Sequence, residues 1–168
     1  MPGRNESEAW RAFRDPVQQA VGCVDVAARL GEKRFRDQVR IITSTADGVR
    51  LTDRLRLVFT LQLRSVEMGD GQWRMSTRKY DYNIMQAKQL LFGWHWHPAS
   101  KRSPVKYPHL HVPSSLAYST KHIVTGRVAL EDVLKFAMVE LGAQPSDATA
   151  SARLDEISER HKTHRSWS

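Results

Sequence analysis

Four of the seven histidines in this 168-residue chain fall within 17 residues, as two His-x-His pairs. His95 and His97 stand in WHWH, and His109 and His111 in PHLHV. On a strand, side chains two apart share a face. Each pair would therefore turn both imidazoles to one side and Trp94, Trp96, Leu110 and Val112 to the other. If the two strands are neighbours, four imidazoles converge. Imidazole titrates near neutral pH and is also a common metal ligand, so the cluster points to acid–base chemistry or to metal binding.

Three readings follow. The first is metal-free cleavage of a phosphodiester. RNA attacked by its own 2′-hydroxyl needs a base for that proton, an acid for the leaving oxygen and a cation beside the phosphate. His109 and His111 would carry protons with His95 or His97 assisting, and Arg54, Arg56, Arg64 and Lys79 would bind phosphate. Lys101, Arg102 and Lys106 extend that basic surface, no cofactor is needed, and the positive neighbourhood is expected to lower the histidine pKa values. The second reading makes three or all four of the same histidines metal ligands, with nitrogens at about 2.0–2.1 Å from zinc or another divalent ion. Asp81 could join them through strand pairing. The third makes them buried packing groups of a structural or interaction protein. With one cysteine, Cys23, a single chain has no internal disulfide and no thiolate cluster. There is no phosphate-binding Walker loop, nucleophile elbow or zinc-finger spacing. PHLHVP resembles the histidine-triad nucleotide hydrolases at two of three alternating histidines, but Tyr107 stands where the first should be.

Charge narrows the partner. The net charge of +8 is concentrated in residues 31–127, where seventeen Lys and Arg face seven Asp and Glu. Residues 1–30 are balanced, and residues 128–168 carry a small acidic excess. The histidines thus sit in the positive segment, which makes a polyanion, nucleic acid above all, the first partner to consider. A non-catalytic nucleic-acid binder fits this field equally well. No apolar run approaches the roughly 20 residues that span a bilayer, and MPGRNESEAW has no signal-peptide core. The expected location is the cytoplasm.

The elements that must position these residues follow from periodicity. SEAWRAFRD reads as a first helix, and a second starts with Asp15 as cap and Pro16 at its first position, running to a stop at Gly31. FRDQVRIIT, residues 35–43, reads as a strand. In RLRLVFTLQLRSVE, Leu55, Leu57, Phe59, Leu61 and Leu63 alternate with Arg54, Arg56, Val58, Thr60, Gln62 and Arg64, the pattern of a half-buried antiparallel strand. MGDG at 68–71 marks a turn into a strand from Trp73 to Met85, with Tyr80, Tyr82 and Ile84 inward and Lys79, Asp81 and Asn83 outward. A strand from Leu90 to His97 places Leu90, Phe92, Trp94 and Trp96 on the core face and Leu91, Gly93, His95 and His97 on the other. A basic loop, 98–108, leads to the second His-x-His strand, and residues 122–128 are extended. ALEDVLKFAMVELG is a helix with Leu130, Val133, Leu134, Ala137 and Leu141 inward and Gly142 as its stop. Residues from Ser146 to Ile157 form a weak helix, and HKTHRSWS is a mobile tail in which His161 and His164 have no role.

The succession of a basic strand, Tyr80-x-Tyr82, histidines ending the next strand, YPHLHV at Tyr107–Val112 and LEDVLKF at Leu130–Phe136 resembles the TumE-like family of prokaryotic two-gene toxin–antitoxin modules, over roughly residues 50–142. The resemblance implies a growth-inhibiting toxin neutralised by a cognate antitoxin protein and acting on nucleic acid, RNA foremost. The architecture expected is α+β. One domain over 1–145 would comprise helices in 1–31, an antiparallel sheet of about four or five strands in 35–128 and a helix at 130–142. The helices from both ends pack on the apolar face, residues 146–168 trail, and the opposite face is a basic, histidine-bearing cleft.

Overall fold

The structure is a computed structural model that describes residues 3–99, 101, 104–113, 115, 116 and 122–167. Its first element is a single helix, α1 (Glu6–Gly22), where the sequence predicts two. Asn5 caps it by accepting from the Glu8 amide, and Glu6 and Glu8 sit in the first turn, where acidic groups suit the helix dipole. Pro16 removes one helical hydrogen bond yet does not break the element. The buried stripe of Ala9, Trp10, Phe13, Val17, Ala20 and Val21 runs in phase across the proline, so packing outweighs the local defect. The helix ends at Gly22, and Gly31 opens a strand instead of closing a helix.

The segment 35–43 is likewise not one strand. The chain reverses at Asp37 and Gln38, both with positive φ, which makes a hairpin of β1 (Gly31–Arg34) and β2 (Val39–Thr43). After the short β3 (Val49–Arg50) come the long strands β4 (Leu55–Glu67) and β5 (Trp73–Gln86) and then β6 (Gln89–Trp96). Next are β7 (His109–His111), β8 (Ile123–Val124), helices α2 (Leu130–Glu140) and α3 (Ala150–His164), and β9 (Arg165–Trp167). Among the described residues, one sheet of nine strands runs β1-β2-β4-β5-β6-β7-β8, with β3 paired to β4 and β9 to β5. All these pairings are antiparallel except that of β9. The class is therefore α+β with helices from both ends of the chain, and the sheet is larger than expected because the very short strands carry too few residues to show a period.

Alternation holds as predicted through β4 and through β5 from Lys79 to Met85. Leu55, Leu57, Phe59, Leu61 and Leu63 are buried with Tyr80, Tyr82 and Ile84 under the helices. In β6 the parity slips once. Ile84 faces Phe92 while Met85 faces Leu90, so Leu91 is an extra, bulged residue. Leu91 consequently packs against the core, and Leu90 lies over Gly93 on the histidine side. Phe136 of α2 meets Phe92 and Trp94 edge-on, with ring centroids 5.2 Å apart in both pairs. This fixes the inner face of the strand whose outer face carries His95.

The C-terminal segment is a structural member, which corrects the expectation of a trailing tail. Helix α3 continues to His164 and buries Ala150, Leu154, Ile157 and His161. The His161 ring, 1% exposed, stacks on Phe13 and is hydrogen-bonded by Nδ1 to the Glu131 carboxylate and by Nε2 to the Phe13 carbonyl. One imidazole thus links all three helices. Strand β9 then pairs in parallel with Met75–Thr77 of β5 and sets Trp167 against Tyr80 and Trp96.

Candidate functional site

Strands β6 and β7 are antiparallel neighbours, with Gly93 opposite His111, Trp94 opposite Leu110 and His95 opposite His109. Continued across β5 and β4, the register builds two rows on the face away from the helices. One is Thr60–Asp81–His95–His109 and the other Val58–Asn83–Gly93–His111. The four imidazoles converge on this face. Ring centroids of His95 lie 5.8 Å from His97, 5.8 Å from His109 and 4.7 Å from His111. His122, in the segment that the sequence predicts to be extended, joins them from just before β8. Its ring stands 4.8 Å from both His109 and His111. Three of the rings, His95, His109 and His111, can bring one nitrogen each to within 4.8 Å of one another.

Three of the rings have an identifiable hydrogen-bonding support. His95 Nε2 donates to Asn83 Oδ1 at 2.7 Å, and His97 is bonded through Nε2 to Asp81, which also holds Lys79 at 3.2 Å. His109 Nδ1 donates to the Tyr107 carbonyl at 2.9 Å. Gly93 is the floor of the arrangement. A Cβ there would lie 2.9 Å from Asn83 Oδ1 and 3.1 Å from His95 Nε2, so only hydrogen leaves room for that bond. His109 is 3% exposed, whereas His95, His97 and His111 are partly open and His122 is exposed.

Protonation follows from this burial. His95 is held down to about 4, first by desolvation and then by the neighbouring imidazoles, with Asp81 opposing. His109 and His111 are also lowered by desolvation before the repulsion of the other rings. The expected direction is right, but the main cause is loss of water rather than the surrounding lysines and arginines. Asp81 feels burial most, which pushes it up. The hydrogen bond and charge of His97, with Lys79 and His95, outweigh that and leave it lowered. At neutral pH, His95, His109 and His111 are unprotonated: bases and lone-pair donors rather than acids.

The cationic residues divide into two groups. Arg64 and Lys79 line an open groove of about 370 Å³ together with Arg78, His97 and Pro98, directly beside the cluster. Arg78 gains its place from a bulge that makes it the extra residue between the partners of Gln62 and Leu63. No pattern in the sequence marks that slip, and none marks Asn83 as the His95 acceptor. Arg54 and Arg56 instead border a separate hollow with Gln86 and Ala87, and the Arg56 guanidinium is turned back onto the Thr52 and Leu55 carbonyls. Lys101 and Lys106 are exposed on the connection between β6 and β7, and Arg102 lies outside the described residues. The larger hollow of about 520 Å³ between Asp25, Arg50, Thr52, Asp53 and Ser146 has no histidine in its lining.

No protein-family model, curated protein or solved structure matches this chain. No helix among the described residues is long and apolar enough to cross a membrane.

Proposed function

We propose that this protein acts on nucleic acid, with RNA as the favoured substrate, and cleaves phosphodiester bonds at the histidine cluster. The observation that carries this reading is the meeting of three mutually close imidazoles with a groove lined by Arg64, Arg78 and Lys79. A backbone laid along that groove would place phosphates on the cations and a ribose beside the rings. Of the two histidines first favoured as proton carriers, His111 is the accessible one, while His109 is enclosed. In this scheme unprotonated His111 takes the 2′-hydroxyl proton as the 2′-oxygen bonds to phosphorus. The bond from phosphorus to the 5′-oxygen breaks, and that oxygen takes a proton from water. On this reading the protein is toxin-like, held in check in the cytoplasm by an antitoxin, in keeping with the resemblance to the TumE-like family.

The test is incubation of the purified protein with end-labelled single-stranded RNA and, in parallel, DNA of the same sequence. Cleavage of RNA that is lost in His111→Ala, with the circular dichroism of the fold retained, is the expected result. Retention of both nucleic acids without cleavage would make the protein a binder and overturn the enzymatic reading. Loss of structure in His111→Ala would instead mark the ring as a packing group.

A further inference from the structure

We infer that His95, His109 and His111 form a three-imidazole site for a divalent transition ion of the zinc type, with one coordination position left open. The argument is geometric. One nitrogen from each ring lies within 4.8 Å of the others, on adjacent strands whose register sets His95 directly opposite His109. Zinc bound to three histidines requires nitrogens about 2.0–2.1 Å from the metal. The three rings therefore close on the ion as it binds.

The surroundings of two of the three rings match what ligating imidazoles need. A metal-bound histidine commonly gives its second nitrogen to a protein oxygen, which fixes the ring and its tautomer. Here Asn83 Oδ1 accepts from His95 and the Tyr107 carbonyl accepts from His109, leaving Nδ1 of His95 and Nε2 of His109 with the lone pairs. His97 stands outside the ligand set because only His95, His109 and His111 bring their nitrogens within 4.8 Å of one another. His122 stands at the exposed rim, so it borders the open position without closing it. The donor set contains nitrogen alone, which suits zinc and its first-row neighbours and disfavours magnesium and calcium.

A bound ion would also hold the short strand that carries His109 and His111. β7 has three residues and β8 two, and both sit at the end of the sheet. A metal bridging β6 and β7 would clip this margin to the centre of the sheet, linking metal binding to folding stability. A His111 nitrogen that ligates the ion cannot also take the 2′-hydroxyl proton, so the cleavage scheme belongs to the ion-free protein, and zinc binding is measured without reference to cleavage.

The test uses full-length, untagged protein stripped with chelator and titrated with zinc, and separately with cobalt. One equivalent of zinc should bind per chain and raise the melting temperature, and cobalt should show the visible absorption of a low-coordinate nitrogen site. Both signals should vanish in His95→Ala and His111→Ala and persist in His97→Ala. His109→Ala is read only if its circular dichroism matches wild type. His109→Gln, which keeps most of the volume, serves as its companion and should also lose the metal. Absence of binding in the wild-type protein, or binding that survives His95→Ala and His111→Ala, would overturn the inference. Loss of zinc in His122→Ala would show a closed four-imidazole centre and overturn the open position.

Discussion

Acid should loosen this fold before the ordinary carboxylates titrate, and His95 should be the largest single cause. Its imidazole is held down to about 4 from a normal 6.5, chiefly by burial. Unfolding restores the normal value, so between these two pH values the unfolded chain binds a proton that the folded chain refuses. Stability must then fall as the pH drops through that window and level off below it. At about 1.4 kcal/mol per pH unit the shift sets an upper limit of roughly 3 kcal/mol, and partial contact with water reduces it to about 2. Urea unfolding in chelator, followed by tryptophan fluorescence at intervals from pH 7.5 to pH 4 (on the order of the window set by the two pKa values), measures it directly. The His95→Gln variant lacks the titrating group. Its loss of stability over the same interval should be smaller than that of wild type by about 2 kcal/mol. Curves that fall in parallel would refute the assignment and show that the proton is taken up elsewhere.

Three further outcomes are expected. His161→Ala removes a buried partner of Glu131 and the stack on Phe13, so urea unfolding should show a loss of about 3–5 kcal/mol. Replacing both residues by leucine should recover most of it, and a loss below about 1 kcal/mol in the single variant would deny the pair a structural role. Gly93→Ala drives a methyl group into Asn83 Oδ1 and His95 Nε2. It should abolish the zinc-induced rise in melting temperature while far-ultraviolet circular dichroism stays unchanged. Lys79→Ala and Arg64→Ala should each weaken RNA binding and lower the slope of log affinity against log salt by about one, whereas Arg56→Ala, whose guanidinium faces its own backbone, should leave that slope unchanged.

How much of this was legible in the sequence depended on whether a wrong reading would have cost anything locally. In β4 a one-residue slip would expose five large apolar side chains, so alternation states the face without ambiguity. The same logic placed Tyr80, Tyr82 and Ile84 inward and put Asp81 and Asn83 on the histidine face. At Leu90, Leu91 and Phe92 three apolar residues follow one another. A bulge there costs little, and the pattern cannot say which leucine faces the core. The slip lies before Gly93, so the parity of His95 and its neighbours is unaffected.

The C-terminal segment was illegible for a different reason. Its few apolar residues gave weak periodicity, and its charged residues resembled a solvated tail. What holds it is nonlocal, since His161 meets the Phe13 carbonyl 148 positions away and Glu131 30 positions away. No local pattern encodes such a contact. Histidine 122 escaped notice similarly: alone in sequence, it gains meaning only when β8 pairs with β7 and carries it to the rim of the cluster. The His-x-His pairs announce two strands with imidazoles on one face. Whether the imidazoles become a centre depends on the alignment of β6 with β7. A two-residue shift would keep every face assignment yet move His109 away from its place opposite His95. That register, more than the count of histidines, is what the metal titration and Gly93→Ala interrogate.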